Sequence, residues 1–341
     1  TSSYDKVRVS VISNHSIDSP LFTYSAPFQH RWTNNVLNSG IVSVVPGTKN
    51  VFEIEGVEFE VSIPLENEGS VGLMLADPCF MSKWVNCQFA NQWNMFNNTV
   101  DLLNAANAHA DVDYWMLLGD NFYDQVGEAT ASFFSALSYD SKTKVFGAAP
   151  GNHDLWVHGG PKLHVPNDQL GNGFMQYYAQ DTVAATSDSP FDFSVNPDDA
   201  NELPKASNFF SYYKIGNTGF ISYSGAHSYT EVMDEFTDAC SWASSENLEH
   251  VLLLSHWNEE GYGCDENTTT PAVFKELGDI PACATVLPKM KYFTGHEHCN
   301  KIVEPGVGFM VGAQGMGGCG QWVSLNLLWF VVECILPSLS C

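Results

Sequence analysis

Five short apolar runs in this sequence each end in polar residues able to hold a metal ion or a phosphate. Residues 71–76 run into Asp77, and residues 114–118 run into Gly119-Asp120 with Tyr123 three positions on. Residues 145–149 precede Pro150-Gly151-Asn152-His153-Asp154; residues 251–255 lead to His256; residues 292–294 lead to Gly295-His296-Glu297-His298. Asp77, Asp120, Tyr123, Asn152, His256, His296 and His298 are therefore seven candidate metal ligands. Oxygen ligands favour a hard cation and imidazoles a borderline one, so the mixed set suits two different ions. Two cations roughly 3.5–4 Å apart acidify a shared water and compensate charge on a phosphoryl group, the two needs of phosphate-ester hydrolysis. Asp120 is the natural carboxylate to bridge them.

The elements that must position these groups follow from the same runs. Continuous apolar stretches of this length suit strands buried on both faces. Between the first two, Phe89, Trp93, Phe96, Val100 and Leu103 recur at steps of four and three, which predicts an amphipathic helix with Asn97 on its polar side. Strand, helix, strand implies a parallel crossover, and ligands of such folds gather at the carboxyl ends of the strands. The polar clusters occupy that edge. Residues 1–69 read instead as an accessory β-rich segment: residues 7–11 alternate, and residues 51–61 form a hairpin turning near Gly56. It is either a small domain or extra strands on the main sheet. Residues 158–208, rich in Gly, Pro, Asn and Asp, predict long loops bordering the site. An apolar tail, residues 321–341, is interrupted by Asn326, Glu333 and Pro337; without a basic flank it suits buried strands better than a membrane span.

Composition narrows the partners and the compartment. The 341 residues carry 39 Asp and Glu against 14 Lys and Arg, a formal charge of −25. Such a field disfavours nucleic acid and anionic membranes, and would repel a phosphate ester unless bound cations invert it locally. Nine scattered cysteines, none in a CxxC pair, and sequons at Asn14, Asn97 and Asn267 together favour an oxidising compartment with several disulfides and N-glycans. The expected location is secreted, extracellular or lumenal, and a chain beginning at Thr1 agrees with a leader already removed.

Asp77, Gly119-Asp120, Gly151-Asn152-His153-Asp154, His256 and Gly295-His296-Glu297-His298 resemble, in order and rough separation, the five blocks of the calcineurin-like metallophosphoesterases. The resemblance spans residues 77–298. Tyr123, three residues after the bridging Asp, and the segment 118–123 resemble the small, tartrate-resistant branch of the purple acid phosphatases. That resemblance implies a four-layer α/β/β/α sandwich with two mixed β-sheets, here over residues 70–320 with the N-terminal β-rich addition. It implies a dinuclear centre of ferric iron with zinc, iron or manganese. The iron would take Asp77, Asp120, Tyr123 and His298, and the divalent ion Asp120, Asn152, His256 and His296. It implies hydrolysis of phosphate monoesters, on small molecules or phosphoproteins, by in-line attack of a metal-bound hydroxide, with an acidic optimum. His153 would contact phosphate and stabilise the transition state, with Asp154 orienting it. The leaving-group acid stays open among His153, His158, His164 and His227, because Trp257-Asn258-Glu259-Glu260 stands where the family often places histidines. Cys79 is expected in a disulfide rather than as a ligand. Two other readings stand beside this one: a diesterase or nucleotide hydrolase with two divalent ions, and a non-catalytic secreted or surface protein on the same scaffold.

Overall fold

A computed structural model describes residues 3–28, 34–80, 91, 93–124, 127–154, 171–192 and 205–312. The expected loop stretches 155–170 and 193–204, with His158 and His164, lie outside the described residues, as does the tail 321–341.

Two β-sheets stack face to face at the centre. The smaller contains β6 (Gly72–Leu75), β7 (Tyr114–Leu118) and β8 (Val145–Ala149), in that order and all parallel. The larger is mixed and contains β9 (Ser211–Ile215), β10 (Thr218–Ser222), β11 (His250–Leu254), β12 (Met290–Thr294), β13 (Asn300–Glu304) and β14 (Gly308–Val311). Its order is β13-β14-β12-β11-β10-β9, parallel from β10 to β14 and antiparallel at both edges.

Side-chain parity explains why the central strands read as unbroken apolar runs. In β7, Tyr114, Met116 and Leu118 pack against Phe220, Leu252, Leu254 and Phe293 of the facing sheet. Trp115 and Leu117, on the opposite face, pack with Val100 and Leu103 of α1 (Met95–Asn107) and Phe133 of α2 (Glu128–Ala136). On the far side of the larger sheet, Ile221, Val251 and Leu253 pack with Val232, Phe236, Ala239 and Ala243 of α5 (Tyr229–Ser245) and Val273 of α6 (Thr270–Glu276). A strand with a helix on one side and a sheet on the other has no solvent face, so period-two alternation disappears. The layers are helix, sheet, sheet, helix. Short helices α3 (Tyr139–Thr143) and α4 (Asn172–Tyr178) complete the set among the described residues; α4 falls inside a stretch that the sequence predicts to be loop.

The predicted first helix exists but begins later. Asn94 sits at φ 47°, a left-handed conformation that cannot propagate a right-handed helix, so α1 starts at Met95 and leaves Trp93 40% exposed. Phe89 lies outside the described residues.

The N-terminal strands form sheets of their own. β1 (Lys6–Ser13), β3 (Val36–Ser43) and β2 (Tyr24–Pro27) make an antiparallel sheet, while β4 (Lys49–Ile54) and β5 (Val57–Ser62) form the expected hairpin around Gly56. They are docked on the rest: Arg8 pairs with Asp181 at 3.0 Å, Ser10 Oγ donates to Ala179 O at 2.9 Å, and Phe28 packs edge-on against Tyr177. One disulfide, Cys240–Cys283, ties α5 to the turn before β12. Cys79 and Cys299 are also disulfide-bonded, so Cys79 offers no thiolate to a metal.

Candidate metal centre

Five of the seven predicted ligands lie just beyond the carboxyl ends of parallel strands, and Tyr123 and His298 follow on the turns after β7 and β12. Asp77 follows β6, Asp120 follows β7, Asn152 follows β8, His256 follows β11 and His296 follows β12. The first three come from one sheet and the last two from the other, so the cluster straddles the edge of the sandwich. Where each strand ends, the chain turns through left-handed backbone: φ is 56° at Asp77, 53° at Asp120, 54° at Tyr123, 76° at His296 and 53° at His298. Such a conformation costs about 1–2 kcal/mol for a residue with a β-carbon. Five such residues in one cluster mean that the fold holds strain in order to aim side chains inward.

The approach of the loops leaves no room for extra atoms. A β-carbon on Gly151 would lie 2.4 Å from Asp120 Oδ1, and one on Gly312 would lie 2.6 Å from Asp77 Oδ2. Glycine is required at both positions by contact alone.

Two triads share Asp120. Ligand atoms of Asp120, His256 and His296 lie within 4.8 Å of one another, and so do those of Asp77, Asp120 and His298. In the first group, His256 Nδ1 donates to Leu118 O at 2.9 Å. A carbonyl can only accept, so this bond fixes the tautomer and turns the Nε2 lone pair toward the cluster. That nitrogen stands 3.4 Å from Asp120 Oδ1, 3.3 Å from Asn152 Oδ1 and 3.2 Å from His296 Nδ1. With His256 neutral, its Nε2 lone pair converges with Asp120 Oδ1, Asn152 Oδ1 and His296 Nδ1; in the metal-free protein a proton on Nε2 takes the place of a cation among them. In the second group, Tyr123 Oη lies 3.2 Å from Asp77 Oδ1 and 2.7 Å from His298 Nε2, which itself is 3.5 Å from Asp77 Oδ1. Asp77 Oδ2 accepts from the backbone N–H of His296 at 2.9 Å, linking the two strand ends.

The electrostatics are those of a cluster short of positive charge. Asp77 and Asp120 are both fully buried. Burial, reinforced by the charge of Asp120, pushes Asp77 up to about 8. Burial would raise Asp120 too, but His256 and His153 outweigh it and hold the carboxyl well below the usual range. Burial would lower His256, yet the carboxylates of Asp120 and Asp77 lift it to about 9. Burial and the neighbouring His256 push His296 down to about 3. Burial, then the charge of Asp77, raises the Tyr123 phenol well above its ordinary value. Without a cation, protons must occupy Asp77, His256 and Tyr123 to neutralise the site; a bound metal ion inverts that preference. The donor set and the converging lone pairs therefore fit a pair of cations.

His153 sits at the mouth. Its backbone N–H donates to Asp120 Oδ1 at 2.8 Å, its ring lies 4.6 Å from that of Tyr123, and its Nε2 is 4.0 Å from Asp120 Oδ2. Its side chain is 18% exposed, and Nδ1 has no hydrogen-bond partner among the described residues. The two oxygens of Asp154 accept from the backbone N–H groups of Asn121 and Gly151, each at 2.7 Å, a use in the loop backbone that the sequence does not foresee. Asp154 staples the loop carrying Asp120 to the loop carrying Asn152. His227 is buried and its ring packs 5.4 Å from that of Phe209. The sequence reading also passed over Tyr262, whose ring lies 5.4 Å from that of His296.

No family model matches the sequence, and no curated protein matches it. Among solved structures, a candidate 5′-nucleotidase of Staphylococcus aureus, solved with α-ketoglutarate, aligns with a TM-score of 0.35 and 11% identity. The alignment covers 72% of this chain and 49% of that one, so this chain spans about half the length of that protein. At that score the likeness carries no argument about activity.

Proposed function

We propose that this protein is a metal-dependent phosphoric monoester hydrolase of the acid phosphatase kind. The observation that supports it most is the convergence of four lone-pair donors, Asp120 Oδ1, Asn152 Oδ1, His256 Nε2 and His296 Nδ1, beside a second group sharing Asp120. In this reading Asp77, Asp120, Tyr123 and His298 hold ferric iron, and Asp120, Asn152, His256 and His296 hold zinc, iron or manganese. The cation pair, when bound, supplies charge compensation for the phosphoryl oxygens and lowers the pKa of coordinated water.

The chain's own groups then divide the remaining work. His153, mostly buried at the edge of the cluster, would donate from its imidazole to a phosphoryl oxygen as negative charge develops there. Of the two leaving-group candidates among the described residues, His153 borders the cluster and His227 packs against Phe209; His158 and His164 lie outside the described residues. Leu118 O keeps His256 in its ligating tautomer, and Asp77 Oδ2 fixes the turn that carries His296. Phe122 and Trp257, both fully buried beside the ligand-bearing turns, exclude water from below. The close partnership of Tyr123 with Asp77 and His298 supports the iron-containing form over a pair of divalent ions.

The cysteines support an oxidising location, secreted or lumenal: Cys240 and Cys283 are paired, and Cys79 and Cys299 are disulfide-bonded. Asn14, Asn97 and Asn267 are all exposed, as glycan acceptors must be. No helix among the described residues is long and apolar enough to cross a membrane.

The test is direct. Protein reconstituted with ferric iron and zinc is assayed on 4-nitrophenyl phosphate and its bis(4-nitrophenyl) diester, with metal content measured on the same sample. Two ions per chain, faster monoester turnover and loss of both in Asp120→Asn are expected. Absence of bound metal, or a metal-loaded protein inert on both esters, overturns the reading; preference for the diester moves it to the two-divalent-ion alternative.

A further inference from the structure

We propose that Tyr262 is a stacking platform that selects phosphate esters whose leaving group is an uncharged aromatic. This inference rests on the phosphomonoesterase reading and adds a substrate class to it. Tyr262 is 68% exposed, the most exposed large apolar side chain among the described residues, and its ring lies 5.4 Å from the His296 ring at 63°. An aromatic surface open to solvent thus borders a candidate ligand, where the part of a substrate beyond its phosphate must lie.

The loop presents that ring at a conformational cost. Gly261, Tyr262 and Gly263 have φ of 112°, 47° and 86°, so the tyrosine is the one residue of the three with a β-carbon in left-handed backbone. The turn is nonetheless held. Trp257, fully buried, donates from Nε1 to Tyr262 O at 3.4 Å; Asp265 N and Thr268 Oγ1 donate to Gly225 O at 2.7 and 2.6 Å. A rigid exposed ring loses little freedom when a ligand stacks on it, which is why aromatic side chains serve as contact surfaces.

The surroundings set the charge of the leaving group. Glu259 and Glu260 are exposed on the same loop, and Glu297, between the two histidines, holds both Asn258 and Lys301. The Lys301 ammonium is thereby already paired. A leaving group bearing further phosphates would meet this acidic rim and be repelled.

The experiment compares benzyl phosphate with cyclohexylmethyl phosphate, two esters of similar alcohols that differ in aromaticity. For the native protein kcat/KM favours the benzyl ester by roughly three- to tenfold, the range that an aromatic pair contributes. Tyr262→Phe keeps the ratio, whereas Tyr262→Leu, which still covers His296 with apolar surface, brings it to about one. An unchanged ratio in Tyr262→Leu overturns the proposal and leaves Tyr262 as a cover for His296. Should neither ester be hydrolysed, the phosphomonoesterase reading fails by itself. Calorimetric binding of benzylphosphonate against cyclohexylmethylphosphonate to the zinc-loaded protein then decides the stacking, and equal affinities overturn it.

Discussion

Replacing Asp154 by asparagine separates two roles that the same residue could play. Each of its oxygens accepts one backbone N–H, from Asn121 and from Gly151, at 2.7 Å, and the side chain is fully buried. Asparagine keeps one acceptor and puts an NH2 where the other was, so one amide of the pair faces a donor. An unsatisfied buried N–H costs about 1–3 kcal/mol. In a domain of this size each kcal/mol moves the melting temperature by roughly 2–4 °C, so a fall of several degrees is expected. Asp154→Ala removes both acceptors and should cost about twice as much. The staple also sets the distance between the loops of Asp120 and Asn152, so zinc affinity should fall with stability. Outer partners of metal ligands are worth about 10–100-fold in affinity, which gives the scale. Urea unfolding of the metal-free protein and zinc titration by calorimetry read the two effects. If Asp154→Asn keeps its urea midpoint and its zinc affinity but shifts the pH profile of turnover, the carboxylate acts on His153 after all and the reasoning is wrong.

Three further outcomes are expected. In the metal-free protein burial pushes Asp77 and Asp154 up to about 8, and the carboxylates around His256 lift it to about 9 against the effect of its burial. Groups that hold protons more tightly when folded contribute stability in full below their unfolded values, about 4 and 6.5, and lose it as pH rises through 8 to 9. The urea midpoint of EDTA-treated protein should therefore fall from pH 4 to pH 9, less steeply above pH 7 in His256→Asn, and a rising midpoint would contradict the assigned protonation states. Tyr123→Phe should abolish visible absorption of the iron-loaded protein while sparing zinc binding at the other position; an unchanged spectrum removes Tyr123 from the iron ligands. The double replacement of Cys240 and Cys283 by alanine should lower the unfolding free energy by roughly 2–4 kcal/mol with turnover retained, because the bridge lies in the outer helical layer, and loss of turnover at equal stability would speak against that placement.

The amino-acid sequence by itself determined the chemistry available and the layer that carries it. Runs such as 114–118 and 251–254 are apolar without alternation because both of their faces are covered, and the residue types at their ends are those able to bind a cation. The hairpin about Gly56 was legible because β4, covered on one face, alternates; the strand at 7–11 alternates in residue type although its polar face is partly covered as well, Arg8 and Ser10 bonding to Asp181 and Ala179. Tertiary structure alone decided what those groups do to one another. The bond from His296 N to Asp77 spans 219 positions of chain, and no local pattern encodes it. Asp154 reads as a partner for its neighbour His153, yet the fold gives its oxygens to Asn121 and Gly151. Tyr262 sits in an unremarkable Gly-Tyr-Gly turn until β11 and β12 bring it against His296. Residue identity sets which bonds are possible, but hydrogen bonds, tautomers and pKa shifts depend on distances of a few ångströms between segments that only packing brings together.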